Sequence, residues 1–477
     1  MKSNDSEACP NAAAQILLLQ GKAEVEAVWS FRKQSASQRL PKLALVKNND
    51  PPSASGLNLK SLNLDKRSVC HGNPALEQLA GISSLLMLQG PVGPLFSRIA
   101  AWKRDMGHQV RRVIFNSGDA GFCGDKDAIF YRQGPDEWRE QLHSYCRWYD
   151  IQGVVLFGQT RFYHRQAIEL CQRMGIPVFV VEEGYVRPGF VTLEMTGVNA
   201  SSTTLKTHVL SVEGTTHDLP PAATRAYRFK LIFCAMRYYL RLKVGSWWYP
   251  HYVHHRDSTI WDYVKYWVRA GAAYPYTRWQ DKRELKRLDK SKPYFFVPMQ
   301  LDSDAQILFH SRYNDVMAFV DEVLESFAAH ATDNSQLLIK QHPLARGHLD
   351  TRQRVLCKAA NLGIAHRVIF VHACKIYRLL EGVAGVVTVN STVGVQTIAH
   401  AAPLKIMGEA IYDHPDVADS QPLDSFWRNP FRPNPDRAKA FHQQLKLLTQ
   451  MPAALYDGPR VPLRWSELLG QPRGKLQ

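Results

Sequence analysis

The sequence predicts an α/β protein made of two Rossmann-like halves, and three observations carry that prediction. Short apolar runs of strand length recur along the chain, several of them ending in small or polar residues. Stretches with helical periodicity separate them. The same alternation then begins again after a long basic and aromatic segment. Apolar strands alternating with helices indicate a parallel sheet covered on both faces. Two such halves joined by a linker suggest a GT-B type architecture, with the site in the cleft between them.

Taken in order, residues 1–81 read as a flexible N-terminal extension. Lys47 to Gly56 is polar and rich in Pro and Ser, which buries no core, and a short helix is expected at 11–33. Residues 82–224 form the first Rossmann-like domain, expected to hold the acceptor. Its strands are Ser84–Leu88, Val110–Phe115, Gly153–Phe157 and Pro177–Val181, with helices at Leu95–Met106 and Tyr163–Met174. Residues 293–425 form the second, expected to hold a nucleotide-activated donor. Its strands are Tyr294–Val297, Leu337–Lys340, Val368–Val371 and Gly385–Val389. The helix Tyr313–Ala329 has its apolar stripe at Val316, Phe319, Val320, Val323, Leu324 and Phe327. Residues 426–477 are a tail with a helix at Pro435–Leu448, which by analogy with GT-B folds crosses back to the first domain.

Composition narrows the class. The 477 residues are 45% apolar and 21% charged, ordinary for a globular enzyme, and their length gives a prior of about three domains. The eight cysteines form no C-x-x-C pair, so a zinc or redox motif is unsupported and a reducing compartment fits. Ile16–Leu19 is too short for a signal-peptide core, and no apolar run is long enough to span a bilayer. The expectation is a cytoplasmic protein, attached at most to a membrane surface. The net charge of +16 calls for an anionic partner.

The linker, 225–292, is where the basic charge concentrates. It holds sixteen Lys/Arg against five Asp/Glu, and sixteen aromatics between Tyr227 and Trp279. Basic and aromatic residues interleaved in this way suit an anionic membrane surface, with cations at phosphates and rings at headgroup level. Stacking on single-stranded nucleic acid and plain helical packing with solvated charges are the alternatives. Nucleic acid is the weakest, because the basic residues gather in a linker rather than across a recognised fold.

Three strand ends carry candidate chemistry. Glu182-Glu183-Gly184-Tyr185-Val186-Arg187-Pro188 places two acids at the carboxyl end of a buried strand, where open α/β sheets bind ligands. A carboxylate there can take a proton from an acceptor hydroxyl, and Arg187 suits a carboxylate or phosphate. The plain alternative is a surface loop of paired charges. Lys340-Gln341-His342-Pro343 offers a charge and a donor to a nucleotide phosphate, and Pro343 pins the loop. Asn390-Ser391-Thr392 precedes a helix, a pattern that aims hydroxyls and N–H groups at an anion or simply caps the helix. Gln89-Gly90-Pro91 lacks dinucleotide-loop spacing but permits close approach of an acceptor. Asp302-Ser303-Asp304 superficially resembles a metal motif, and a polar loop or helix cap explains it better.

As an ordered set these motifs resemble the bacterial capsule polysaccharide biosynthesis family. They include Leu86–Phe96, Gly107–Val110, Phe115-Asn116-Ser117-Gly118-Asp119, Glu182–Pro188, Val297–Gln300, Lys340–Pro343 and Val389–Gly394. The KpsS/LipB branch is nearest, and the likeness spans residues 82–415. It implies a glycosyltransferase that moves Kdo from CMP-Kdo to a phosphatidylglycerol-type lipid, starting the capsule linker at the cytoplasmic face of the inner membrane. It implies Glu183 and His342 as catalytic, with Glu183 where many relatives carry Asp. On the donor side it implies Lys340, Pro343, Gln300, Asn390, Ser391 and Thr392. On the acceptor or carboxylate side it implies Glu182, Arg187, Gln89 and Gly90. No cofactor or metal is expected, since Lys340 and His342 neutralise the leaving phosphate. Other capsule assembly proteins are possible partners. The competing readings are a CDP-glycerol-type glycerophosphotransferase and a non-catalytic assembly or export factor.

Overall fold

The structure is a computed structural model that describes residues 72–124, 127–187, 189–195, 197–205, 227–254, 260–301, 307, 310–342, 345 and 350–456. The helix expected at 11–33 and the Asp302–Asp304 triplet lie outside these residues.

Two sheets organise the fold. The first has seven strands in the order β12-β6-β5-β4-β1-β2-β3. They are β1 Ser84–Met87, β2 Gln109–Ile114, β3 Ala128–Phe130, β4 Gly153–Phe157, β5 Val178–Glu183, β6 Phe190–Met195 and β12 Gln450–Pro452. The second has five in the order β11-β10-β7-β8-β9. They are β7 Tyr294–Pro298, β8 Gln336–Lys340, β9 Val368–Val371, β10 Gly385–Thr388 and β11 Leu404–Ile406. Strands β1 to β5 pair in parallel, as do β7 to β11. Each set runs in the Rossmann order 3-2-1-4-5, so each has a switch point, between β1 and β4 and between β7 and β10. This is a GT-B architecture.

The strands are buried on both faces because their runs are apolar throughout. Leu85, Leu86, Val154 and Val155 are fully enclosed in the first sheet, and Phe296, Leu338, Ile369 and Val386 in the second. Helices α1 Pro74–Gly81, α2 Leu95–Asp105, α3 Trp138–Trp148 and α4 Phe162–Met174 belong to the first half. Helices α5 Tyr227–Val244 and α6 Ile260–Leu285 form the linker. Helices α7 Val316–His330, α8 Asp350–Asn361, α9 Val393–Ala399 and α10 Pro435–Thr449 follow.

Three features depart from or extend the sequence reading. Residues 74–81, placed in the flexible extension, form α1 and pack on the first sheet. Leu76 and Leu79 enter its core. Asn73 caps the helix by accepting from Ala75 N at 2.9 Å and Leu76 N at 3.2 Å, and its Nδ2 donates to the Leu193 carbonyl at 3.0 Å. Lys103 closes the other end, with Nζ 2.8 Å from the carbonyls of Leu79 and Ala80. Burial pushes that ammonium down to about 8. Secondly, β6 runs antiparallel to β5. The connection 184–189 is too short for a parallel crossover, so the chain must turn back. Thirdly, the tail does cross back. Helix α10 buries Phe441 and Leu445 with the second domain, and β12 then pairs antiparallel with β6 of the first sheet.

If α1 is integral, Asn73→Ala removes an N-cap and a tertiary hydrogen bond, and urea unfolding should report a loss of about 1–2 kcal/mol. An unchanged midpoint would mean that α1 frays independently of the sheet.

Candidate functional site

At the first sheet's carboxyl edge, Gln89 and Gly90 follow β1, next to β4 at the switch point. Gln89 is buried, and its Nε2 lies 3.1 Å from Asp119 Oδ2 and 2.8 Å from the Tyr252 hydroxyl. Asn116 Nδ2 donates to the same Asp119 oxygen at 2.8 Å, and its Oδ1 accepts from Asp119 N at 2.9 Å. The Tyr238 hydroxyl, from α5, is 3.2 Å from Asn116 Nδ2. Gly118 makes this possible: a Cβ there would stand 2.8 Å from the Tyr238 ring. Burial pushes the Asp119 carboxyl up to about 7, against the pull of Arg161, the Gln89 hydrogen bond and Arg112. Arg161, just before α4, donates from Nη1 to the Gly90 carbonyl at 3.1 Å. Nearby, His164 Nδ1 donates to the Gly158 carbonyl at 2.7 Å. Burial drives the His164 imidazole down to about 3, so it is neutral.

Glu182 and Glu183 are the last residues of β5. The point a side chain at Gly158 would occupy lies 3.8 Å from both Glu182 Oε2 and Arg161 Nε. Glu182 therefore borders the switch point. Glu183 is about half exposed and pairs with Arg187 at 2.7 Å, while Arg187 Nε donates to the Gly184 carbonyl at 2.8 Å. Gly184 is required by close approach: a Cβ there would be 2.4 Å from the Phe190 carbonyl oxygen. Tyr185 is buried and donates to Glu194 Oε1 at 2.8 Å. Glu194 also accepts from Thr204 Oγ1 at 2.9 Å and from the Ser202 hydroxyl, and burial pushes it up to about 7.

At the second sheet's edge, Gln300 and Asn390 straddle the other switch point and bond reciprocally. Gln300 Nε2 donates to Asn390 Oδ1 at 3.0 Å, and Asn390 N donates to Gln300 Oε1 at 3.2 Å. Ser391 Oγ accepts from Val393 N at 3.3 Å, and Thr392 opens α9 without a side-chain cap bond. Lys340 ends β8, buried, beside Cys374. His342 follows two residues on and is partly buried. Pro343 lies outside the described residues. Beyond β9, Asp281 of α6 accepts from His372 N at 2.7 Å and Ala373 N at 2.9 Å, and its Oδ1 is 3.0 Å from His372 Nδ1. A recess opens between the halves, lined by Tyr185 and Asn199 on one side and by Asn390, Thr392 and Tyr412 on the other.

The structure thus brings Gln300 to Asn390, Glu183 to Arg187, and Glu182 to the Gly90–Gly158 edge. Arg187, read as a binder of a carboxylate or phosphate, here holds Glu183. Gln89, read as an acceptor contact, is committed to a buried cluster because Asp119 needs donors. Sequence reasoning assigned no role to Asp119, Arg161, Tyr238 or the Asp281–His372 pair. Asp119 closes a quoted motif, and Asp281 is one of five acids in a basic linker. Arg161 and Tyr238 carry no such signal. Chemically, carboxylates stand at one edge, and a lysine and a histidine at the other.

The chain is thus a two-domain GT-B protein with acids at one sheet edge and a lysine and a histidine at the other. This chain belongs to the capsule polysaccharide biosynthesis family, whose model matches residues 152–456. It is 34% identical over 397 residues to the Escherichia coli capsule polysaccharide export protein KpsS, covering 81% of this chain and all of that one. It is 32% identical to the capsule polysaccharide modification protein LipB of Neisseria meningitidis serogroup B, covering 80% and 93%. The solved Thermosulfurimonas dismutans KpsC, beta Kdo 2,7 transferase, aligns at 15% identity with a TM-score of 0.39, over 81% of this chain and 99% of that one.

Asp119 makes stability depend on pH. Its folded value, about 7, exceeds its ordinary 3.8, so the folded protein holds the proton more tightly. The stability this contributes is present below pH 4 and lost as pH rises to 7. Asp119→Asn should remove that slope, so urea midpoints of wild type and variant should diverge between pH 5 and pH 8. A constant difference would place the Asp119 titration elsewhere.

Proposed function

We propose that this protein is a capsule glycosyltransferase that moves Kdo from CMP-Kdo to a phosphatidylglycerol-type lipid, working as a peripheral protein at the cytoplasmic face of the inner membrane. The observation that carries the reading is that Glu182 and Glu183 end β5 of one sheet while Lys340 ends β8 of the other, where Gln300 and Asn390 are bonded across the switch point. Family membership supports the capsule setting. Among the described residues no helix is long and apolar enough to cross a membrane.

In this scheme the nucleotide half of the donor lies at the β7–β10 switch point. Gln300, Asn390, Ser391 and Thr392 hold it by hydrogen bonds. Lys340 and His342 offset the charge that develops on the departing CMP phosphate. They supply that charge without a metal. Glu183 takes the proton of the acceptor hydroxyl, or attacks the sugar if the anomer is retained. Arg187 positions Glu183, and its guanidinium is the group that takes the sugar carboxylate in this scheme. Glu182 and the backbone at Gly90 border the acceptor, and Gln89 holds that loop from beneath.

The name of the Escherichia coli relative favours a second reading, a non-catalytic export factor. One assay separates the two. CMP release from CMP-Kdo should require phosphatidylglycerol, and Glu183→Gln and His342→Ala should each lower it by about 100-fold or more. Both variants should keep the wild-type thermal midpoint. Lipid-independent capsule support by Glu183→Gln would favour the export factor. Release from CDP-glycerol alone would favour a glycerophosphotransferase.

A further inference from the structure

Helix α5 has two faces of opposite character. Phe229, Phe233, Met236, Leu240 and Val244 follow one another at steps of four, three, four and four residues, which places them on one side. Each is 63–80% exposed. The helix runs on into Trp247 and Trp248, also exposed, with rings 4.6 Å apart. On the other side Cys234 and Tyr238 are buried, and the Tyr238 hydroxyl meets Asn116 and Gln89. Just past the helix, Ser117 Oγ donates to the Gly245 carbonyl at 2.7 Å.

A contiguous apolar face on a folded chain marks a docking surface. The identity of the occupant follows from charge. Over its eighteen residues α5 carries five Lys/Arg and no acid. Arg237 and Arg241 sit at the flank of the stripe toward the body, where Arg237 donates to the Gly121 carbonyl. Such a helix is repelled by a basic partner, and the whole chain is basic at +16, which disfavours a second copy. It suits an anionic lipid surface, with rings and aliphatic groups below the headgroups and cations among the phosphates.

We propose that α5 docks flat on an anionic bilayer through Phe229, Phe233, Met236, Leu240 and Val244, with Trp247 and Trp248 at headgroup depth. Because the opposite face of the same helix is bonded to Asn116 and Gln89, docking sets the first sheet's carboxyl edge at a fixed height over the lipid. That consequence rests on the transferase reading; the docking itself does not.

The test uses the full chain and vesicles of phosphatidylcholine, with or without phosphatidylglycerol. Wild type should float with the anionic vesicles alone, and high salt should release it. The double substitution Phe229→Ser/Phe233→Ser should weaken binding by about 100-fold, since each ring contributes about tenfold or more. Both positions are exposed, so its thermal midpoint should not move. Brominated lipid should quench tryptophan emission, less so in Trp247→Phe/Trp248→Phe. Vesicle binding unaffected by the double substitution overturns the proposal. So does a wild-type dimer that the substitution splits in the absence of any vesicle binding. With a short-chain phosphatidylglycerol dispersed as monomers, the double variant should release CMP as wild type does. Vesicle binding without CMP release in wild type would leave the docking standing and remove the transferase reading.

Discussion

The constraint on which the rest depends is the satisfaction of polar groups at the carboxyl ends of two buried parallel sheets. Strands buried on both faces expose no backbone along their length, but their last residues must find partners or face a ligand. In this protein the linker supplies part of what is needed at each edge. Tyr238 of α5 reaches Asn116 and Gln89 in the first half. Asp281 of α6 accepts from His372 N and Ala373 N in the second. Losing Asp281 would strand the His372 and Ala373 N–H groups, at a cost of about 1–3 kcal/mol each. The segment that looks most like a solvated basic spacer is therefore bonded into both domains. Its inner residues are fixed by hydrogen bonds, and its outer residues are left to chemistry of another kind.

That arrangement explains how one helix is apolar on its exposed face. Helices usually turn the apolar stripe inward, since burial gives about 25 cal/mol per Å². Helix α5 reverses this. Its inner face is held by a phenol, a close glycine and a hydrogen bond from Ser117, contacts that are specific rather than extensive. The apolar face is then free to be covered by something outside the chain.

Most of the fold was legible because strand runs here are continuous and apolar, and each ends at a small or polar residue. Gly153–Phe157 and Val368–Val371 appear with the expected bounds. What escaped was nonlocal. Pro74–Gly81 is short, and its place depends on Leu193 and Lys103, far away in sequence. The reversal of β6 follows from the length of a turn, which periodicity does not report. At the candidate site, strand-end position pointed to Glu182, Glu183, Lys340, His342 and Asn390. It did not point to Tyr238 or Arg161, because a tyrosine among sixteen aromatics, or an arginine before a helix, looks alike whether it faces solvent or a carboxylate.

The position of the Glu182-Glu183-Gly184 motif is itself set by residues outside it. Gly184 lies so close to the Phe190 carbonyl that β5 and β6 are locked together at the turn. Tyr185 then plunges into the apolar cluster of the second domain, with Val393, Ala410 and Ile411. Its hydroxyl is held by Glu194, which also takes hydrogen bonds from Ser202 and Thr204. A buried carboxyl near neutrality tolerates that position because three hydroxyls surround it. The aromatic ring thus belongs to one domain by packing and to the other by hydrogen bonding and by chain. Any movement that opened the cleft would have to withdraw Tyr185 from that cluster or break its bond to Glu194. The turn that carries Glu183 is therefore anchored two residues away, by a tyrosine in the cleft wall, and the Glu183 carboxylate is steadied at its own end by Arg187.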